Sequence, residues 1–314
     1  MIRHAAPAAA NLGPFRLRRR LGRGGMAEVH LADAVGASGF QRAVAIKTVA
    51  PELQGEASLE RALIHEATLA GRFHHRNLVA ILGLGVDDGR YYVVMEYVDG
   101  GDLAGHLGRP LPLALALMIA HEVALGLAYL HAATDDRGLP LGLVHRDVGP
   151  RNVLVSTSGD VKLADFGLTK PTALADLTAP GLRKGTWQYM APEQIAGDPV
   201  TAAADQFGLG VTLVELVGGA HPFAADTPAA TMAAIERSDP ALGGLAPDLR
   251  AVAARALARR PTERFPSMAA FGAALGAARQ VRPLAGPVEL GAWVAAGPCH
   301  FVPAAGETTP PDSR

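Results

Sequence analysis

His145-Arg146-Asp147-Val148-Gly149-Pro150-Arg151-Asn152 is followed, after twelve intervening residues, by Asp165-Phe166-Gly167. This places an acid (Asp147), an amide (Asn152) and a second acid (Asp165) around the apolar run Val153-Leu154-Val155. A carboxylate can orient a hydroxyl and accept its proton, while further oxygen donors hold magnesium. Transfer of a phosphoryl group from a nucleotide needs such a set.

Two upstream features bear on the same chemistry. Gly22-Arg23-Gly24-Gly25-Met26-Ala27 lies between two alternating segments. Glycines between strands commonly make only a hairpin. They also let a backbone approach phosphates and donate amides to them. The flanking strands argue against a dinucleotide fold, which has a strand and then a helix. Lys47 ends the segment Ala43-Val44-Ala45-Ile46-Lys47. A strand-end lysine is commonly solvated, but Glu66, whose helix neighbours Leu63 and Ala67 point inward, is a partner that can aim it at phosphates.

The elements that must position these residues follow from periodicity. Alternation predicts strands from Phe15 to Arg20, over 28–32 and 43–47, and from 78–86 and 91–98 around the Asp87-Asp88-Gly89 turn. Apolar steps of three and four predict a helix over about 56–73. Long apolar helices are expected at 113–131 and 201–217, with others at 248–258 and 267–278. Residues 1–14 read as a flexible leader and 281–314 as a poorly ordered tail.

In this order and spacing the motifs resemble those of eukaryotic-type protein kinases, in the bacterial serine/threonine class, over about residues 15–280. The resemblance implies an α+β, bilobal fold: a small antiparallel-sheet lobe with one helix (15–98) and a larger, mainly helical lobe (99–280). It implies ATP and Mg2+ as cofactors and proteins as substrates. Asp147 would be the catalytic base, with Asn152 and Asp165 on the metal and Lys47, paired with Glu66, on the phosphates. Leu21, Gly22, Gly24, Gly25, Ala27 and Val29 would cover the nucleotide. Ala45, Met95 (the gatekeeper), Glu96, Val98, Asp102 and Leu154 would complete its pocket. Ala191-Pro192-Glu193 would close the activation segment, Asp205 would be an anchor, and Arg264 would pair with Glu193.

One position departs from this pattern. Position 149, usually lysine in serine/threonine kinases, is glycine. Arg151 lies where tyrosine kinases keep a compensating arginine, and we expect it to supply the missing charge. Gly185-Thr186-Trp187-Gln188-Tyr189 resembles the serine/threonine type, with Thr186 placed to bond Asp147, and Pro150 follows the same type. Thr178 best matches the phosphorylated position of similar kinases, and Arg146 suggests a cationic pocket for that phosphate. The rival expectations are a pseudokinase, an ATP-binding scaffold with little turnover because of Gly149, and a small-molecule kinase. The last is disfavoured by the segment ending Ala191-Pro192-Glu193.

Bulk properties agree. Of 314 residues, 49% are apolar and 19% charged, enough for a buried core. A net charge of −1 argues against nucleic acid as the main partner. Cys299 is the single cysteine, so no intrachain disulfide forms. The longest apolar run, Leu113 to Ala120, is short of the ~20 residues of a membrane span. With no secretory signal in the opening residues, the expected location is cytoplasmic.

Overall fold

The computed structural model describes residues 11–108, 111–165 and 186–297. The amino-terminal part is a six-stranded antiparallel sheet built from β1 (Asn11–Leu12), β2 (Phe15–Arg23), β3 (Ala27–Val35), β4 (Gln41–Val49), β5 (Ile81–Asp87) and β6 (Arg90–Glu96). The strand order is β1-β2-β3-β4-β6-β5.

Alternation along β4 decides what each face does. Ala45 and Val49 pack with Val93 and Met95 against Leu63 and Ala67 of helix α1 (Ala57–Ala70). Val44 and Ile46 point the other way, to a second cluster with Tyr92, Val94 and Leu12. Successive residues of one strand thus serve two cores, and Lys47 leaves it on the α1 side with Ala45 and Val49.

The second part is mainly helical: α2 (Leu113–His131), α3 (Pro192–Ala196), α4 (Ala203–Gly218), α5 (Pro228–Arg237), α6 (Pro247–Ala256), α7 (Met268–Gln280) and α8 (Pro287–Ala296). Strands β7 (Gly100–Asp102), β8 (Val153–Ser156) and β9 (Val161–Leu163) form a separate three-stranded antiparallel sheet in the order β7-β8-β9. Helices α2 and α4 are buried on most sides, with Leu117, Leu127, Phe207 and Leu213 fully covered. Helix α2 is as apolar as a membrane span, with mean hydropathy 1.9, yet 61% of it is buried in protein. It is the core helix of this lobe.

Two expectations are corrected. Asn11 and Leu12, within the expected leader, form a strand, because Gly13 turns the chain with φ 55° and lets Leu12 pair with Phe15. Buried Leu12 then roofs Val44 and Ile46. In the tail, 287–296 is a helix with Leu290 and Val294 fully buried. The prolines that read as breakers include Pro287, which sits in the first turn, where its fixed φ favours helix. Glu289 then accepts a hydrogen bond from the Gly286 N–H at 2.9 Å.

Candidate active site

The glycine-rich turn joins β2 to β3. Gly22 lies in β2 opposite Val29, and Gly24 donates its amide to the Ala27 carbonyl at 2.7 Å. Leu21 and Val29 descend from this hairpin onto the cluster of Ala45 and Met95, which Val98 and Leu154 join. Six of the residues expected to hold a nucleotide base therefore share one apolar surface at the junction of the sheets. Asp102 stands opposite Leu154 in register and accepts a hydrogen bond from the Gly105 amide at 2.9 Å. The Glu96 carboxylate turns away from that surface: it accepts from the Ala80 amide at 2.7 Å and pairs with Lys162 at 2.8 Å.

Lys47 is the hub of the polar half. Its Nζ lies 2.9 Å from Glu66 Oε1 and 2.9 Å from Asp165 Oδ1. Burial alone lowers the lysine pKa, but the two carboxylates outweigh it and hold the ammonium charged well above its ordinary range. The structure brings Lys47 and Glu66 together, and α1 supplies Glu66 because its inward face packs on β4 and β6.

The catalytic-loop residues converge from another direction. Asn152 Nδ2 donates to the Asp147 carbonyl at 2.7 Å and to Asp147 Oδ2 at 2.6 Å. The Ala164 amide donates to the Asn152 carbonyl at 2.8 Å, tying the loop to the residue before Asp165. Asp205, 1% exposed, accepts from the amides of His145 and Arg146, each at 2.8 Å, and lies 2.7 Å from His131 Nε2. Those contacts hold Arg146 at φ +65°, a conformation unusual for a side chain of that size. Asp165 is likewise left-handed, at φ +53°. His131 and Lys162 carried no sequence signal of their own, since each acts through a partner distant in the chain.

This donor set fits a hard divalent cation. Asn152 commits its side-chain nitrogen to Asp147, which leaves its side-chain oxygen Oδ1 as the group for a metal, and Asp165 brings a carboxylate. Magnesium or a similar ion would be held by Asn152 and Asp165, and would draw Asp165 from Lys47.

Gly149 has an extended backbone, φ −172° and ψ 170°, that any residue adopts. Its place is a matter of space: an added Cβ would stand 3.2 Å from Tyr189 Cγ and Cδ2. The Tyr189 ring lies against the glycine, and its hydroxyl donates to Glu215 Oε2 at 2.6 Å. Burial, with the neighbouring Glu215 charge, raises the tyrosine pKa, and the Arg151 charge opposes that rise. Arg151 is exposed. The pair Glu193–Arg264 is bidentate, at 2.7 and 2.8 Å, and buried. Thr178, Phe166 and Gly167 lie outside the described residues, as does the side chain of Thr186.

A protein kinase domain model matches residues 15–271. The chain is 37% identical over 280 residues to the tyrosine-protein kinase MasK of Myxococcus xanthus, covering 86% of this chain and 43% of that protein. It is 36% identical to the serine/threonine-protein kinase PknD of Mycobacterium tuberculosis, covering 82% and 38%. Among solved structures, the PknI kinase domain of M. tuberculosis aligns with a TM-score of 0.63 at 29% identity, over 88% of this chain and all of that one. The chain belongs to the eukaryotic-type protein kinase family, in its bacterial serine/threonine class. Members of that family use ATP with a divalent metal. The chain spans less than half the length of the curated relatives it matches.

Proposed function

We propose that this chain transfers the γ-phosphoryl group of ATP to serine and threonine hydroxyls of proteins, with Mg2+ as its metal. The observation that carries the reading is Lys47 Nζ held 2.9 Å from both Glu66 and Asp165, a phosphate-directed cation beside a metal-binding acid. Asp147 accepts the hydroxyl proton, its carboxylate oriented by Asn152. The apolar surface of Leu21, Ala45, Met95 and Leu154 takes the adenine. Bound magnesium would neutralise charge on the terminal phosphates. Arg151 supplies the cation that Gly149 lacks, and phosphorylation of Thr178 in the activation segment regulates turnover. The catalytic unit extends from β1 to α8.

Incubation with radiolabelled ATP and magnesium, followed by phosphoamino-acid analysis, tests this reading. Label on serine or threonine, absent in Asp147→Asn, is expected. Nucleotide binding without transfer in the unaltered chain would establish the scaffold reading instead. A second reading, tyrosine as acceptor, draws on Gly149 and Arg151 and on the tyrosine-protein kinase among the relatives. Label on tyrosine alone decides for it.

A further inference from the structure

Helix α8 lies beyond the 15–271 span of the family model, and it packs against β8. We infer that α8 is a nucleotide-positioning element, which sets the paired strands β7 and β8 through Gly291 and Trp293. This rests on the reading of the cleft as an ATP site.

The contact is intimate and depends on two glycines. A Cβ on Gly291 would stand 2.4 Å from the Thr157 carbonyl oxygen, and one on Gly159 would stand 1.9 Å from that of Pro287. Real side chains essentially never come so close, so α8 lies on the β8–β9 turn only because both surfaces are bare. Trp293 adds a ring contact, its centroid 4.7 Å from that of His106, which is 4% exposed. Leu290 and Val294 anchor the helix in the lobe core.

What α8 touches is coupled directly to the cleft. Thr157 donates its amide to the Asp99 carbonyl at 2.8 Å, at the exit of the interlobe link. From there β7 pairs with β8, Gly100 opposite Ser156 and Asp102 opposite Leu154. His106 ends the short helical turn that Asp102 caps. Leu154 underlies the base and Asp102 stands at the rim, so the position of both follows the support beneath them. The catalytic loop is anchored separately, through Asp205 on α4. Loss of α8 contacts should therefore reach nucleotide binding before it reaches the transfer step.

Gly291→Leu and Trp293→Ala in the full chain test this. Expected is a rise in KM for ATP of about fivefold or more for Gly291→Leu and about threefold for Trp293→Ala, with kcat changed less than about twofold. KM for the protein substrate should hold, Trp293→Phe should restore ATP binding, and amide exchange across Gly100–His106 should accelerate. Should Gly291→Leu not fold, Trp293→Ala decides. Faster exchange with an unchanged KM for ATP, or a fall confined to kcat, overturns the inference while leaving the phosphotransfer reading intact. If the unaltered chain binds no ATP, that reading falls and this inference with it.

Discussion

At the scale of single residues, the site poses one question of charge. Gly149 removes a cation that would stand beside a terminal phosphate, and the Tyr189 ring lies against the bare position. Arg151 lies two residues further along the same loop. If it acts on the transferring group, Arg151→Ala should lower kcat by about 10²-fold, the scale of losing one electrostatic stabiliser, and leave ATP affinity within a few fold. Steady-state kinetics at saturating ATP read this directly, and unchanged turnover removes the role. Restoring a lysine is the complementary experiment. Gly149→Lys requires the Tyr189 ring to give by a few tenths of an ångström, since its Cβ would sit at 3.2 Å. In the Arg151→Ala background it should recover at least about tenfold in kcat, because either side chain can present one positive charge to the phosphate. Asp147→Asn makes the contrast: it removes the proton acceptor, so transfer should fall by about 10²–10⁴-fold with nucleotide still bound.

At the scale of elements, helix α4 organises the large lobe and carries the least comfortable carboxylate. Burial raises the Glu215 pKa above its ordinary value of 4.5, and the Tyr189 hydrogen bond only partly offsets that. An acid whose folded pKa is raised stabilises the fold below its unfolded pKa and loses that contribution as pH climbs through the folded value. Glu215→Gln keeps an acceptor for Tyr189 and cannot ionise. Its melting temperature relative to the unaltered chain should therefore rise as pH climbs above the ordinary value of 4.5, and a flat difference would refute the account. The same helix shows what the sequence can reveal. Its apolar run was legible over 201–217, as was α2 over 113–131, because both helices are apolar nearly all round. The short α3 and α5 were not foreseen. Helix α5 has only Thr231 and Ile235 buried, and its start is marked by Thr227 accepting from the Ala230 amide, a signal a few residues long. The tail helix was missed because Pro287 and its neighbouring glycines outweighed the Leu290/Val294 spacing. Site residues were legible where a motif carries them, as with Lys47 and Glu66. Tyr189 with Glu215, and Glu96 with Lys162, join positions 26 and 66 residues apart, and no local pattern announces such pairs.

At the scale of the whole molecule, two cores meet along one strand. Val79 donates its amide to the Leu163 carbonyl at 2.9 Å, and Leu163 donates to the Asn77 carbonyl at 2.8 Å, so β9 is pinned to the segment after α1. Asp165 follows immediately and reaches Lys47 on the opposite sheet at 2.9 Å. A nucleotide with its metal would add contacts to both sides of this seam: the apolar surface beneath the glycine-rich hairpin and the acids above the catalytic loop. Anything that binds the folded chain and not the unfolded one stabilises it by mass action. At about 100 times its Kd, a non-hydrolysable ATP analogue with magnesium should add about 2.7 kcal/mol, a rise of about 4 °C in melting temperature. Chelation with EDTA should remove most of that rise, because without a metal Lys47 stays paired with Asp165 and no cation is left to neutralise the terminal phosphates. Asp165→Asn separates the two effects. It should abolish the metal-dependent part of the shift and retain the part that comes from the adenine, whose surface of Ala45, Met95 and Leu154 is unaltered. An equal rise with and without metal in the unaltered chain would mean that Asn152 and Asp165 do not share a cation, and thermal unfolding followed by circular dichroism distinguishes these outcomes.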